Sequence, residues 1–548
     1  MTPAERAPAD RPRPEAHRAE APSPGTRPPH WARRHFLGAA AGLGAGALVA
    51  GCSEGPGRRG GGERGTGRVA GDSFVATENA RPGDPDWRLR VRGTDRAVEG
   101  YADRVSVLPG ETFHLHISTT AKGFRAEAFR MGWYGGAQAR KVWESPRTPG
   151  GARGIPRPSG DTRTVLAGWP PSLAVTTTGW PEGAYLIRLT ADTGEQRYIP
   201  VTVRSATTAG RLVLVNAVAT WQAYNTWGGH SLYHGPGGKS DYSGRALAVG
   251  CDRPYDEDGA PLFTTYEQPA IALAERLGLP LAYVTGMDVD RDPALLRGAH
   301  AVVSLGHDEY WTPAMRAHVT AARDAGTNVA FLGANACFRR IRLEPSPGGE
   351  RRLVVCYKTD WPRDPLAGKD DAAVTTDYRE PPAARPENSL TGTLYESNPT
   401  DADYVVAEPG HWLFEGTGVT RGTGFPNLVG TEYDRVNSGA ATPRPIQIVA
   451  HSRLVCRGVR SYSDSAYYTV ASGAGVFNTG TMRWVESLTG DGGHGIPPHT
   501  AAFTSRVTEN LLRAFAAGPA GRTHPAEDNL DAYHPFDGDP IWGRKHLW

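Results

Sequence analysis

The chain has 548 residues, enough for about two to four domains at roughly 100–200 residues each. With 39% hydrophobic and 22% charged residues, its composition excludes an intrinsically disordered protein. Lysine and arginine number 60 against 58 aspartates and glutamates, and this near-neutral balance argues against nucleic-acid binding, which requires a clustered basic surface. The 68 glycines and 45 prolines predict many turns and a β-containing protein.

Residues 1–51 have the composition of an export signal. The run Arg-Arg-His-Phe-Leu at 33–37 resembles a twin-arginine signal, and the Gly-rich apolar stretch 36–51 is too short for a comfortable membrane span. It ends at Cys52, which resembles the lipidated cysteine of a bacterial lipoprotein; a chance cysteine after an ordinary signal is the alternative. We expect twin-arginine export, a lipid anchor at the outer face of the bacterial cytoplasmic membrane, and a flexible Gly/Arg-rich tether over 52–71.

Residues 72–205 predict a β-sandwich domain. Short segments with period-two alternation are separated by Pro/Gly turns and contain no helical pattern. The predicted strands include 104–108, 112–117, 184–189 and 198–204. Such a domain alone is usually a binding or structural module.

Residues 206–520 predict an α/β domain built on a doubly wound parallel sheet. The continuous apolar run at 211–215 is typical of a strand buried on both faces, and strands alternate with helices after it. The further predicted strands are 281–284, 300–305 and 328–332. We expect β-rich insertions with short strands over about 340–470 and a C-terminal tail over 521–548.

Three polar segments follow predicted strands of this sheet, at 219–233, 306–311 and 333–336. Ligands of open α/β sheets bind beyond the carboxyl ends of the strands, so these segments are candidate parts of a site. In the second segment, His307 and the carboxylates of Asp308 and Glu309 could bind a metal or exchange protons. The alternative is that one carboxylate caps the following helix and His307 bonds locally.

The segment 219–233 is dense in aromatic residues, which could pack in a core, stack on a sugar or line a ligand cavity. Tyr224 and Asn225 are the stronger functional candidates, and core packing is favoured for Trp221 and Trp227. Asn225 and Trp227 are nevertheless the candidates for substrate contacts in this segment.

The predicted domains contain no Gly-x-Ser-x-Gly elbow, P-loop or HExxH motif, and no GxGxxG motif follows a predicted strand. Cys337 has no evident base beside it in the sequence, so a buried structural cysteine is favoured over a nucleophile. The cysteines beyond residue 52 show no CxxC spacing, and no disulfide pairing can be deduced from them. Glu432 lies outside the predicted sheet and is either a site carboxylate or a surface charge.

The segments 130–136, 220–233, 306–311 and 425–435 resemble the large (beta) subunit of N,N-dimethylformamidase. The resemblance extends over most of 72–515 and implies a β-rich domain followed by a sheet like that of the class I glutamine amidotransferases. It also implies hydrolysis of a formamide-type C–N bond at a mononuclear Fe³⁺ ion held by two tyrosines and a glutamate.

Carried over by motif, the resemblance implies roles for individual residues. Tyr224 and Glu309 correspond to metal ligands, and Tyr185 is the nearest fit to the second tyrosine. The implied catalytic residues are His307, Asn335 and Glu432. We therefore expect an exported hydrolase of a small amide whose identity the sequence does not give.

The rival hypothesis is a non-catalytic lipoprotein that binds carbohydrate or envelope polymer through its β-domain and Trp/Tyr-rich cleft. An open aromatic surface would favour the binding protein, whereas convergence of Tyr224, Glu309 and a second anionic ligand would favour the hydrolase. A homo-oligomer and a need for a separate small subunit are left open by the sequence.

Overall fold

The computed structural model describes residues 74–94, 96–438 and 441–534. The predicted export signal at 1–51, the lipidation site at Cys52 and the tether at 52–71 lie outside the described residues. Within the described ranges, the structure contains no helix that is both long and apolar enough to cross a membrane.

The N-terminal region consists of one short helix, α1 (Phe74–Asn79), and two β-sheets that enclose an apolar core. One sheet has the order β1-β3-β7, and the other has the order β2-β9-β8-β4-β5 with β6 paired to β4. Phe113, Leu115 and Ile117 alternate along β3 and face the inner residues of the second sheet, as expected for strands buried on one side. The strands are β1 (Val98–Ala102), β2 (Ser106–Val107), β3 (Thr112–Thr119), β4 (Gly123–Met131), β5 (Ala139–Glu144), β6 (Thr148–Pro149), β7 (Leu173–Thr176), β8 (Gly183–Ala191) and β9 (Gln196–Val203).

A seven-stranded mixed sheet forms the centre of the C-terminal region, in the order β12-β10-β13-β15-β24-β23-β22. The first five strands in this order are parallel, and the last two are antiparallel to their neighbours. The strands of this region are β10 (Leu212–Asn216), β11 (Ala248–Gly250), β12 (Leu281–Thr285), β13 (Ala301–Ser304), β14 (Tyr310–Trp311), β15 (Asn328–Phe331), β16 (Arg339–Arg340), β17 (Arg342–Ser346), β18 (Gly349–Val355), β19 (Thr376–Asp377), β20 (Leu394–Val405), β21 (Gly424–Arg435), β22 (Ile446–Cys456), β23 (Val459–Thr469) and β24 (Gly475–Asn478).

Helices cover both faces of the parallel strands, because alternate residues of each strand enter two different apolar clusters. α4 and α9 pack on one face, and α6 packs on the other. The helices are α2 (Val218–Tyr224), α3 (Pro261–Tyr266), α4 (Gln268–Arg276), α5 (Gly286–Arg291), α6 (Pro313–Asp324), α7 (Asn388–Thr391), α8 (Trp484–Ser487), α9 (Thr500–Ala516) and α10 (Leu530–Tyr533). The result is a mixed α/β protein rich in sheets, and the finer likeness to glutamine amidotransferases stays a prediction.

The expectation of short strands over about 340–470 is confirmed for β16 to β19, which have two to seven residues, and is wrong for β20 to β23. β20 and β21 are 12 residues long and pair with each other, while β22 and β23 are 11 residues long and extend the main sheet. Their alternation is hidden in the sequence because large polar residues on these strands are buried, as Asp464 is on β23. Hydrophobic periodicity therefore understates these strands.

A buried ion pair joins the N-terminal sheets to the helical layer. Arg130 on β4 donates to Glu275 on α4 at 2.7 Å, and neither side chain is exposed. Asn79 and Tyr283 donate to the same carboxylate, so its oxygens are satisfied without water. An ion pair of this type depends strongly on both partners, because either one alone is a buried, uncompensated charge.

Glu275→Gln is expected to lower the free energy of unfolding by about 3–5 kcal/mol, since it leaves the Arg130 guanidinium buried without its counter-charge. Urea denaturation followed by tryptophan fluorescence measures this change. Asp192→Asn is the control, because it removes an exposed ion pair with Arg147 and is expected to leave the midpoint unchanged. Equal midpoints for Glu275→Gln and the unmodified protein would contradict this account.

Candidate functional site

The carboxyl ends of the parallel strands β10, β13 and β15 bring the three predicted polar segments to one edge of the sheet. Gly306 and Gly333 allow this approach. A Cβ atom on Gly333 would lie 2.1 Å from the carbonyl oxygen of Gly306, and one on Gly306 would lie 2.3 Å from that of Tyr266. Only glycine fits at these two strand ends.

Glu309 is the centre of the site and is fully buried. Its Oε2 atom accepts a hydrogen bond from the Tyr224 hydroxyl at 2.7 Å, and the Tyr233 hydroxyl lies 2.7 Å from Oε1 and 2.8 Å from Oε2. The two phenol oxygens are 3.1 Å apart, and Arg339 Nε donates to Oε1 at 3.0 Å. Two phenols, one carboxylate and one guanidinium therefore converge on a single buried point.

Neither carboxylate of the 306–311 segment caps the next helix, contrary to the alternative considered for the sequence. Thr312 caps α6, because its hydroxyl accepts from the Met315 amide at 3.0 Å. Asp308 points instead to Ser304, whose hydroxyl donates to it at 3.1 Å. Glu309 is thus free of a capping role and faces the two tyrosines.

Tyr233 was not predicted as a partner of Glu309, and a glycine turn explains its position. After α2 the chain reverses through Gly228 and Gly229, whose φ angles are +78° and +82°. At Gly228 a Cβ atom would also lie 2.6 Å from Val165, so this position requires glycine both for its backbone angle and for lack of space. The Leu232 amide then donates to the Ala223 carbonyl at 3.0 Å, which places Tyr233 beside Tyr224.

The charges around Glu309 settle its protonation. Burial alone would raise its pKa, but the neighbouring groups, of which the Arg339 guanidinium has the largest effect, together more than offset burial and hold the pKa below its ordinary value. Burial and the negative charge of Glu309 raise the pKa of both Tyr224 and Tyr233 well above 10. In the protein without a metal, Glu309 is therefore an anion that accepts from two neutral phenols.

His307, Asn335 and Glu432 line the same site. The His307 ring nitrogens lie 3.9 Å from Glu309 Oε2 and 4.0 Å from Glu432 Oε2, and neither has a hydrogen-bond partner among the described residues. Asn335 Nδ2 donates to Glu432 at 2.9 Å. Burial lowers the pKa of His307, whereas burial and the charge of Glu309 raise that of Glu432 to about 8. At neutral pH this pair consists of a neutral imidazole and a protonated carboxyl.

Lys358 is a buried amine next to the site that sequence reasoning missed. Its Nζ lies 3.1 Å from the centroid of the Tyr233 ring and has no hydrogen-bond partner among the described residues. Burial lowers its pKa well below the ordinary value. Lys358 follows the last residue of β18 by three positions and has a left-handed backbone (φ +55°), and this irregular stretch leaves no periodic pattern in the sequence.

Two residues predicted for the site lie elsewhere. Tyr185 is buried in the N-terminal core, stacked on Trp180, and its hydroxyl donates to the Pro181 carbonyl at 2.5 Å. Trp227 is also a core residue, because it is buried in an apolar cluster with Val165 and Trp169. Its indole N–H donates to Glu99 at 2.8 Å. The structure does not bring Tyr185 or Trp227 to Glu309, and it gives Tyr233 the position expected of Tyr185.

Asn225 has a scaffold role in the structure. Its Nδ2 donates to Gln222 and to the Pro254 carbonyl, and its Oδ1 accepts from two backbone amides. The residue also lines a cavity, so a substrate contact stays a prediction. The cysteines described, Cys251, Cys337, Cys356 and Cys456, are buried and unpaired, and burial raises the pKa of Cys337 to about 12, which disfavours a nucleophilic thiolate.

A cavity of about 480 Å³ adjoins the site, with Tyr224 in its wall. Its lining is mainly aromatic and aliphatic, and polar side chains such as His234 and Asp256 occupy a smaller part. Among the described residues, a second group of side chains could also hold a metal ion; it comprises His451, Asp464 and His534.

A family model described as "N,N-dimethylformamidase beta subunit-like, C-terminal" matches residues 125–498, more than half of the chain. The chain belongs to this dimethylformamidase family. No curated protein matches the chain. The resemblance to the dimethylformamidase large subunit is therefore confirmed at the level of the family, which makes an amide hydrolase the expected class of enzyme.

Two solved structures show weak likeness. A cycloisomaltooligosaccharide glucanotransferase from Paenibacillus sp., complexed with cycloisomaltoheptaose, is 13% identical with a TM-score of 0.13, over 23% of this chain and 17% of its own. Cwp6 from Clostridium difficile is 9% identical with a TM-score of 0.11, over 43% of this chain and 37% of its own. The chain spans well under half of either protein, and likeness at this level carries no argument.

Asp308→Asn is expected to change how stability depends on pH. Burial raises the pKa of Asp308 from 3.8 to about 7, so between these values the folded protein holds a proton that the unfolded chain has released. Stability contributed by this group therefore falls as pH rises, by up to about 1.4 kcal/mol per pH unit, and is constant above about pH 7. Urea denaturation from pH 4.5 to 8 should show the difference between the variant and the unmodified protein changing over this window; parallel curves would contradict it.

Proposed function

We propose that the protein is an exported, metal-dependent hydrolase that cleaves a formamide-type C–N bond in a small amide. The observation that carries the proposal is the convergence of the Tyr224 and Tyr233 hydroxyls on the buried carboxylate of Glu309. Family membership supports the class of reaction. Twin-arginine export and a lipid anchor at Cys52 belong to the same proposal and rest on the sequence of the N-terminal segment.

Tyr224, Tyr233 and Glu309 are the residues that would hold the ion, in a revised ligand set that replaces Tyr185 by Tyr233. The two phenol oxygens are 3.1 Å apart, and each lies 2.7 Å from an oxygen of the Glu309 carboxylate. All of these atoms are hard oxygen donors. With both phenols deprotonated, their summed charge of about −3 would balance Fe³⁺ in a buried site. Such an ion supplies a Lewis acid that polarises an amide carbonyl and acidifies water.

Side chains on the other wall are suited to proton transfer. His307 is neutral, and its two unbonded ring nitrogens face the carboxylates of Glu309 and Glu432, so it can accept a proton from water. Glu432 keeps its proton at neutral pH and can deliver it to the leaving amine nitrogen. Asn335 fixes the orientation of Glu432 through the 2.9 Å hydrogen bond.

The cavity beside Tyr224 supports the proposed class of substrate. A volume of about 480 Å³ exceeds the needs of the smallest formamides, and its walls include Trp221, Tyr255 and Phe263. These rings favour an amide whose nitrogen or acyl group carries an apolar substituent. The proposed function does not depend on whether the protein forms a homo-oligomer or requires a separate small subunit.

The rival hypothesis of a carbohydrate-binding protein requires an open aromatic surface. Trp221 and Trp227 are buried, and the hydroxyls of Tyr224 and Tyr233 point to Glu309. Of the two hypotheses, the geometry of this cleft supports the hydrolase.

The metal site is tested by the iron content and visible spectrum of the purified protein. We expect about one iron per chain and a tyrosinate-to-iron absorption band, with both lost in Glu309→Gln and the band lost or strongly shifted in Tyr233→Phe. Tyr185→Phe is the matched control, because it removes a buried hydroxyl in the N-terminal core and should leave iron and band unchanged. A colourless protein that stays empty when supplied with iron, or loss of the band in Tyr185→Phe alone, would refute this ligand set.

The role of Glu432 is tested by Glu432→Gln, which keeps the hydrogen-bonding shape but cannot deliver a proton. Turnover of a panel of N-substituted formamides is expected to fall by about 10²- to 10⁴-fold in kcat, with iron content retained. Retained kcat with a raised KM would assign Glu432 to binding only.

A further inference from the structure

His451, Asp464 and His534 form a second cluster of metal-ligating side chains, at the far edge of the main sheet. His451 lies on the edge strand β22 and Asp464 on its neighbour β23, and the two residues are paired across the strands. In the sheet order, β22 is four strands from β13, or about 19 Å at a spacing of about 4.8 Å. The cluster is therefore separate from the Glu309 site at the end of β13.

The three ligand atoms lie within 4.8 Å of one another. His451 Nδ1 is 2.7 Å from Asp464 Oδ1, and His534 Nε2 is 2.9 Å from Asp464 Oδ2. An ion with bonds of about 2.0–2.2 Å would hold its ligand atoms roughly 3.4 Å apart, so on binding the two histidine nitrogens would move away from the Asp464 oxygens and settle roughly 3.4 Å from each other. Two imidazoles and a carboxylate are a common donor set for Zn²⁺, with one position left for water.

The surroundings of the cluster are closed except on one side. The side chains of Asp464 and His534 are 0% and 2% exposed, whereas that of His451 is 15% exposed and provides a route to solvent. The Tyr462 ring stacks on His451 with centroids 4.3 Å apart, and Tyr533 lies 5.0 Å from it. Fixed rings of this kind orient ligands before an ion arrives.

Two of the ligands belong to the sheet, but His534 belongs to the C-terminal segment 528–534, which follows the sheet edge. Asn529 exchanges hydrogen bonds with the backbone of Ile446 and Ile448, and Asp528 pairs with Arg444. His534 follows α10 and brings the end of this segment to Asp464. An ion bound here would join the segment to β22 and β23.

We propose that His451, Asp464 and His534 bind a divalent transition-metal ion of the Zn²⁺ type, which fastens the C-terminal segment to the edge of the main sheet. The competing arrangement is a clamp of hydrogen bonds alone, in which Arg435 donates to Nδ1 of His534 at 3.4 Å and Nε2–H donates to Asp464. The ion takes the place of the Nε2 proton of His534 and of the Nδ1 proton of His451. His534 then carries its proton on Nδ1, which breaks the hydrogen bond from Arg435, and His451 carries its proton on Nε2.

The test is a titration of chelator-treated, untagged Glu309→Gln protein with Co²⁺ and then with Zn²⁺. This background removes the other proposed metal site, so the result does not depend on the proposed hydrolase function. We expect one Co²⁺ per chain with the visible bands of low-coordinate cobalt, displacement of those bands by Zn²⁺, and a rise in melting temperature with Zn²⁺.

Adding His451→Ala is expected to raise the Kd for Zn²⁺ at least about 100-fold and to abolish the melting shift. His494→Ala is the matched control, because His494 is an exposed histidine paired with a single carboxylate, Glu486, and its loss should change neither value. Circular dichroism establishes that each variant is folded, and Asp464→Asn provides an independent ligand variant. Binding only at millimolar metal, or the same Kd with and without His451, would overturn the proposal in favour of the hydrogen-bonded clamp.

Discussion

The buried negative charge of Glu309 is the constraint on which the candidate site depends. A carboxylate without solvent needs both counter-charge and hydrogen bonds, and here Arg339, Tyr224 and Tyr233 supply them. The two tyrosines come from the segment 219–233 and Arg339 comes from β16, so the charge can be accommodated only when these parts of the chain have assembled around Glu309. Preorganisation of this kind suits a cation, because the oxygens are already directed to one point before binding.

Two groups beside Glu309 differ in protonation, so that His307 can accept a proton and Glu432 can donate one. Glu432 shares the buried space with the anion, so its pKa rises to about 8, while burial keeps His307 neutral. Two environments a few ångströms apart therefore give opposite protonation states at neutral pH. This division is the property that hydrolysis needs, since one step accepts a proton from water and another returns one to the leaving group.

The sequence predicted those parts of the site that follow directly from strand ends. A buried strand followed by His307 and Glu309 could be recognised because parallel strands present their carboxyl ends together. Tyr233 and Lys358 could not, since a glycine turn and a left-handed residue place them, and neither leaves a periodic signal. Tyr185 was selected only by resemblance, and its alternating apolar surroundings already pointed to a core strand.

The long strands β20 to β23 were also missed, because polar residues buried on them hide the alternation of apolar residues. Their position in the sheet explains the role proposed for the cluster of His451, Asp464 and His534. β22 ends a seven-stranded sheet, where an uncovered edge would invite pairing with other chains. The residue after β20 covers part of this edge through the bridge between Val406 and Ala450, and the segment 528–534 covers another part through hydrogen bonds from Asn529 and reaches Asp464 with His534. Leu530 is also buried in the apolar cluster on one face of the sheet, and Tyr533 bonds to Glu408 and Arg421, so packing already holds the segment in place. A ligand that joins His534 to Asp464 adds to these contacts, because opening of the segment then also requires release of the ion.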